Sequence, residues 1–241
     1  MQTAILEGTG LTKRFGAFQA LDAVTVSVTK GEALGIVGPN GAGKSTLFGV
    51  LAGALPPTNG AVRFEGHNVT NNDAAQRCRL GIARTHQVPR PFLGMSVFEN
   101  ALVAAAYGSA LHGEDAEEAA VDALSRSGLL PHADRPAATL GLLDRKRLEV
   151  ARALATQPQV ILFDEIGGGL TEAELVALIE LVQGLKSEGM TIVWIEHILH
   201  ALLKVVDRLV CMAGGGVIAE GDPRAVMADE TVMRAYLGGL Q

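Results

Sequence analysis

Two cysteines among 241 residues, Cys78 and Cys211, are too few for a disulfide framework, and neither stands in a CxxC pair or near a histidine at ligand spacing. They read as core thiols of a protein kept in a reducing compartment. Aromatic residues are scarce, with seven Phe, two Tyr and one Trp. Basic residues are outnumbered: 20 Lys and Arg against 26 Asp and Glu leave a net charge of −6, which argues against a general nucleic-acid-binding surface. No apolar run approaches the roughly 18 residues of a membrane-spanning helix. The uncharged stretch 101–113 is too short and is broken by Gly, Ser and His. The opening residues lack a basic start followed by an apolar stretch, so no secretory leader is expected.

What remains is apolar and glycine-rich. Hydrophobic residues make up 48% and charged residues 19%, which excludes a disordered chain. Glycine occupies 29 of 241 positions, above the usual share of about 7%. Such a chain suits an α/β protein with many tight turns, long enough for one large domain or two small ones.

Periodicity organises the chain. Val24, Val26 and Val28 alternate with Thr25 and Ser27, as in a half-buried strand over 23–28. A short apolar strand is expected at 33–37 and a helix at 44–51. Strands at 61–64 and 82–86 flank a helix around 73–79. Ser96 with Glu99, and Thr171 with Glu174, form capping boxes that open helices at 97–107 and from 171 to about 187. Further helices are expected at 114–127 and 145–156, with a loop over 131–143 between them. Strands at 160–163, 191–195, 209–212 and 217–219 precede a short helical tail opened by Asp222-Pro223. Alternating strands and helices around a helical block imply an α/β core (1–87 and 158–241) with an inserted helical subdomain over 88–157.

Gly38-Pro39-Asn40-Gly41-Ala42-Gly43-Lys44-Ser45-Thr46 matches the phosphate-loop pattern GxxxxGK[ST], between an expected strand and an expected helix. Its glycines let the backbone curl so that N–H groups point at phosphate oxygens, and the following helix aims its positive end at the same anion. Lys44 is expected to bridge the outer phosphates, Ser45 to offer its hydroxyl to Mg²⁺, and Thr46 to hold the α-phosphate side. Such a loop needs a second magnesium anchor on a neighbouring strand. Val160-Ile161-Leu162-Phe163-Asp164-Glu165 supplies it: Asp164 is the expected anchor and Glu165 the expected base for an attacking water.

The phosphate loop, the Asp164-Glu165 pair and Trp194-Ile195-Glu196-His197 together resemble the ATP-binding cassette ATPase family over nearly the whole chain. The resemblance implies a P-loop NTPase core with a parallel sheet, an N-terminal antiparallel β subdomain and an inserted α-helical subdomain. It also implies ATP and Mg²⁺ as ligands. In the family's pattern Gln87 is the glutamine-loop residue that contacts Mg²⁺ and water, and His197 is the switch histidine at the γ-phosphate. Phe15 holds the place of an adenine-stacking aromatic. The implied partners are transmembrane permease subunits, a second cassette ATPase in a homo- or heterodimer, and indirectly an extracytoplasmic substrate-binding protein. Nucleic acid is not among them. The implied location is cytoplasmic, peripheral on the inner face of the membrane.

One departure stands out. The family's Leu-Ser-Gly-Gly-Gln signature, which contacts the γ-phosphate held by the opposite subunit, reads here Leu140-Gly141-Leu142-Leu143-Asp144. Gly141 replaces the serine hydroxyl, and Leu143 replaces a glycine whose missing Cβ allows close approach. Thr171 also stands where the family usually has an aspartate. Weak hydrolysis by a symmetric homodimer is therefore expected. The stretches 84–87, 91–100 and 207–223, with the ending Ala235-Tyr236-Leu237-Gly238, resemble the branch serving branched-chain amino acid uptake. Urea, amide, aromatic-acid and lipopolysaccharide-export systems are the neighbouring alternatives, and a non-transport cassette ATPase is the remaining one.

Overall fold

The structure, a computed structural model, describes residues 3–237. Two sheets frame the nucleotide-binding half. Strands β1 (Ala4–Phe15) and β2 (Phe18–Thr29) form a long antiparallel hairpin. With β4 (Asn59–Phe64) and β5 (His67–Asn68) they make a four-stranded antiparallel sheet in the order β2-β1-β4-β5. The second sheet contains β3 (Ala33–Val37), β6 (Ile82–Arg84), β7 (Val160–Asp164), β8 (Thr191–Ile195), β9 (Arg208–Ala213) and β10 (Gly216–Gly221). Its order is β10-β9-β3-β8-β7-β6, parallel throughout except for the edge hairpin of β9 and β10.

Both faces of this second sheet are covered, which is why its strands read as unbroken apolar runs. Leu34, Ile36, Val160, Leu162, Val193 and Ile195 point to one side. There they join Leu47, Phe48, Val50 and Leu51 of α1 (Lys44–Leu51) and the inner face of the antiparallel sheet. Ile161, Phe163, Ile192 and Trp194 point to the other side, into a helical layer. Phe163 and Trp194 meet edge to face, with centroids 6.2 Å apart.

Helices α3 (Val97–Gly108), α4 (Glu114–Arg126) and α5 (Leu142–Ala155) pack on one another. Their shared face is small and apolar: Ala101, Ala105, Ala119, Ala120, Ala123 and Ala151 are all buried. The capping boxes form as the sequence requires. Ser96 Oγ accepts from Glu99 N–H at 3.1 Å, and Glu99 Oε2 accepts from Ser96 N–H at 2.7 Å. Thr171 and Glu174 do the same at the start of α6 (Glu172–Ser187). The remaining helices are α2 (Ala74–Leu80), α7 (Leu199–Leu202), α8 (Pro223–Ala228) and α9 (Glu230–Leu237).

Several elements differ from their sequence expectation. The strand expected over 82–86 ends at Arg84, because after Thr85 N–H donates to Leu162 O the chain leaves the edge of the sheet. The loop expected over 131–143 carries two single 3-10 turns, Leu130–His132 and Ala137–Thr139, and α5 starts at Leu142 rather than Arg145. Gly141 is extended (φ −67, ψ 174) and takes the N-cap position, while Asp144 places negative charge in the first turn. Leu142 and Leu143, both good helix formers, thus continue the helix towards its N-terminus. Strand β1, with its register shifts, and the four-residue α7 carried no clear periodic signal. Of the sequence features noted above, Met1, Gln2 and Gly238 lie outside the described residues.

Candidate active site

The C-terminal ends of β3, β7 and β8 lie side by side: Ile36 pairs with Ile195, and Ile195 with Asp164. In a parallel sheet this edge is where loops can converge on a ligand. The loop 38–43 leaves β3 here and runs directly into α1. Two of its glycines are required by space. A Cβ on Gly38 would lie 2.1 Å from Met212 O, and one on Gly43 (φ 98) would lie 2.5 Å from Ala20 O. Lys44 is buried at the base of the loop, where its Nζ donates to Gly38 O at 2.7 Å and Pro39 O at 3.0 Å. Burial lowers the Lys44 pKa, and the nearby negative charge of Glu165 partly restores it. The cleft in front of the loop, about 270 Å³, is lined by residues 40–46 together with Phe18, Ala20, Glu165 and His197.

Glu165 is the centre of this cleft. Its amide donates to Ile195 O at 2.9 Å, and its backbone is held in the left-handed region (φ 50), which non-glycine residues seldom occupy. One carboxylate oxygen, Oε1, lies 2.8 Å from His197 Nε2. The other, Oε2, accepts a hydrogen bond from Gln87 Nε2 at 2.5 Å. Three residues from three distant segments therefore meet on one carboxylate. Asp164, one residue earlier, is buried and pairs with Arg84 Nη2 at 2.6 Å.

The donor set suits magnesium. Ser45 offers a hydroxyl, Asp164 a carboxylate and Gln87 an amide oxygen, all hard oxygen ligands. Among the described residues no three His, Cys, Asp or Glu side chains cluster to hold a metal by themselves. A cation here would depend on one carboxylate supplemented by phosphate oxygens, the habit of Mg²⁺.

Of the residues singled out in the sequence, Lys44, Ser45, Thr46, Glu165 and His197 line the cleft, Gln87 reaches it through its bond to Glu165, and Asp164 stands one residue before Glu165, paired with Arg84. Phe15 is placed differently from Phe18. The two pair across the end of the β1–β2 hairpin, but Phe18 lines the cleft while Phe15 lies under the Lys13 ammonium, 5.2 Å from the ring centroid. Gly141 does not join the cleft of its own chain. It is exposed at the N-terminus of α5, and the neighbouring Leu142 packs towards Gly169. Sequence reading missed Phe18, Arg84, Glu196 and Lys146. Arg84 and Glu196 stand inside stretches that carry the family resemblance, but no role follows from their spacing, and Arg84 is 80 positions from the carboxylate it pairs with.

Residues 21–167 match the family described as ABC transporter, and residues 217–239 match the family described as branched-chain amino acid ATP-binding cassette transporter. The chain is 34% identical to the high-affinity branched-chain amino acid transport ATP-binding protein LivG of Escherichia coli (strain K12), covering 99% of each protein. It is 36% identical to the probable LivG of Methanocaldococcus jannaschii, over 97% of each. A solved ATP-binding cassette of an ABC transporter, in its ADP conformation, superposes with a TM-score of 0.90 at 36% identity, covering 98% of this chain and 100% of that one. A dimeric cassette in a post-hydrolysis state, bound to ADP and Pi, superposes with a TM-score of 0.78 at 25% identity, covering 91% of this chain and 99% of that one.

Proposed function

The chain belongs to the ATP-binding cassette family of transporter ATPases, in its branched-chain amino acid branch, and from that premise we propose that it energises uptake of branched-chain or similar hydrophobic amino acids through a membrane permease. The observation that carries the catalytic part is the meeting of Gln87 and His197 on the two carboxylate oxygens of Glu165, beside the phosphate loop.

Each residue has a chemical task. The N–H groups of the loop and the positive end of α1 bind phosphate oxygens, and Lys44 neutralises charge at the outer phosphates. Bound Mg²⁺, held by Ser45, Asp164 and Gln87, supplies electrostatic stabilisation of the phosphate oxygens. Glu165 orients the attacking water and takes its proton. His197 holds the far side of that geometry. Gln87 joins the cleft to the segment 88–95, so the site is linked to the surface on which a permease docks.

That surface is apolar. Beside the helical layer a groove of about 370 Å³ is lined by Phe92, Val103, Ala104 and Tyr107, among others. Phe92 is 44% exposed, Leu93 54% and Tyr107 77%. Large exposed apolar side chains around a groove mark a protein-binding surface, and Pro89 and Pro91 stiffen the chain that carries two of them. No described helix is long and apolar enough to cross a membrane, so the hydrophobic groove is the feature that supports attachment to a membrane partner.

A second cassette is the other partner. The altered loop Leu140–Asp144 lies at the exposed end of α5, where it would face a phosphate held by the opposite subunit. Because it lacks the hydroxyl and the glycine described above, a partner with an intact signature would complete one strong site.

The test is affinity purification of the chain from membranes, followed by uptake assays with leucine, isoleucine and valine. Co-purification of a permease and a second cassette, with loss of uptake on deletion, is expected. Unchanged uptake of all three amino acids would overturn the cargo assignment, and absence of a permease would overturn the transport role.

A further inference from the structure

Glu196 is a buried carboxylate that the chemistry above does not use. It stands between Ile195, the last residue of β8, and His197, with only 2% of its surface exposed. Its side chain turns away from the cleft and binds backbone. Oε2 accepts from Gly167 N–H at 2.9 Å, while Oε1 accepts from His197 N–H at 3.0 Å. The approach to Gly167 leaves no space for a side chain, since a Cβ there would lie 2.9 Å from Oε2. One carboxylate therefore ties the loop that follows Glu165 to the loop that carries His197.

A buried carboxylate is costly without an opposite charge. Among the described residues Glu196 makes no ion pair and is held instead by backbone N–H groups, with the buried Lys146 on the second turn of α5 as a more distant cation. Lys146 is itself only 3% exposed, and burial lowers its pKa against the opposing pull of Glu196 first and Glu165 second. Helix α5 is the same helix whose N-terminus carries Gly141.

We propose that Glu196 is a positioning residue for hydrolysis, locking the His197 loop to the Gly167–Gly169 loop through a backbone N–H group of each. Glu196 does not line the cleft, so it acts through the placement of His197 and Glu165. A carboxylate is needed because both of its oxygens accept from backbone N–H groups. A glutamine would turn an N–H₂ group towards one of those donors and lose that bond. The proposal rests on Glu165 and His197 acting as assigned above.

The experiment compares full-length wild type, Glu196→Gln, Gly167→Ala, the double variant and Glu165→Gln in MgATP hydrolysis and in binding of a fluorescent ATP analogue. Glu196→Gln is expected to lower kcat about tenfold or more while KM and nucleotide affinity stay within about twofold. Gly167→Ala, whose Cβ would press on Glu196 Oε2, is expected to lower kcat as well. Both substitutions break the same tie, so the loss in the double variant should be smaller than the product of the single losses. A kcat within twofold of wild type for Glu196→Gln, or multiplicative losses in the double variant, would overturn the proposal. If Glu196→Gln does not fold, Gly167→Ala decides: a kcat within twofold of wild type overturns the proposal. Unchanged hydrolysis by Glu165→Gln would instead show that the underlying catalytic assignment is wrong.

Discussion

His197 Nε2 lies 2.8 Å from Glu165 Oε1, although the two residues come from loops after different strands. The contact exists because β7 and β8 are parallel neighbours, with Asp164 opposite Ile195, so both loops emerge at the same edge. Gln87 completes the arrangement from the opposite oxygen. A carboxylate held from both sides in a left-handed backbone conformation is placed with little freedom, as a base that must orient one water requires.

Glu165→Gln preserves shape and removes the base. Turnover is expected to fall by about 10²–10⁴, the usual share of general base catalysis, while ATP still binds. Steady-state phosphate release and equilibrium nucleotide binding measure the two separately. Retained turnover would disprove the role of Glu165.

Lys44→Ala removes the cation at the base of the loop and leaves Gly38 O and Pro39 O without their donor. Nucleotide affinity is expected to drop at least tenfold, as judged by titration calorimetry with ATP. Affinity equal to wild type would count against the phosphate-loop assignment.

Arg84→Met leaves the buried Asp164 carboxylate without its ion-pair partner. Unfolding free energy is expected to fall by about 1–3 kcal/mol, since Arg84 is partly solvated and the pair is not at full strength. Added MgATP should raise the melting temperature more in the variant than in wild type, because Asp164 no longer has to exchange Arg84 for the metal. An equal shift in both proteins would refute that competition.

The signature loop predicts a gain of activity. Gly141→Ser with Leu143→Gly restores a hydroxyl and removes a bulky Cβ at the exposed start of α5. Homodimer ATPase activity is expected to rise about tenfold or more, the scale of one restored donor at a developing charge. Activity unchanged at a protein concentration where dimers form would show that the loop does not limit turnover.

Glu149 ties the docking segment to α5, accepting from Arg90 N–H at 2.8 Å and from Arg152 Nη1 at 2.9 Å. Burial pushes its pKa up, but His86, Arg152 and the Arg90 amide outweigh that and leave it below the usual 4.5. A lowered folded pKa means the stabilisation is complete above the unfolded value and is lost as pH falls through the folded one. Wild type should therefore exceed Glu149→Gln in urea midpoint at pH 7, and the gap should narrow below about pH 4.5. A gap independent of pH would rule out the charge as its source.

Much of this protein was legible in its sequence because the informative features are local. The phosphate loop is a contiguous stretch whose glycines answer to backbone geometry, and the Asp164-Glu165 pair follows an apolar strand directly. The capping boxes at Ser96 and Thr171 placed two helix starts correctly, since a side chain bonding the amide three residues on is a short-range event. Other features depend on residues distant in sequence. Arg84 on Asp164 depends on which strands become neighbours, and Glu196 on Gly167 joins loops 29 positions apart. Phe18 rather than Phe15 lines the cleft because of where the end of the β1–β2 hairpin meets the phosphate loop. The helix expected from Arg145 starts at Leu142, because Gly141, exposed and without a side-chain cap, takes the N-cap position.

By itself, then, the sequence determined the phosphate-loop pattern and the adjacent acidic pair proposed as metal anchor and base, each defined by spacing within its own segment. Only the tertiary structure decided how these parts act on one another. The register of β3, β8 and β7 brings the segments to one edge, and burial demands a partner for each charge left inside. Spacing along a chain specifies local geometry, whereas desolvation and strand order select the partners.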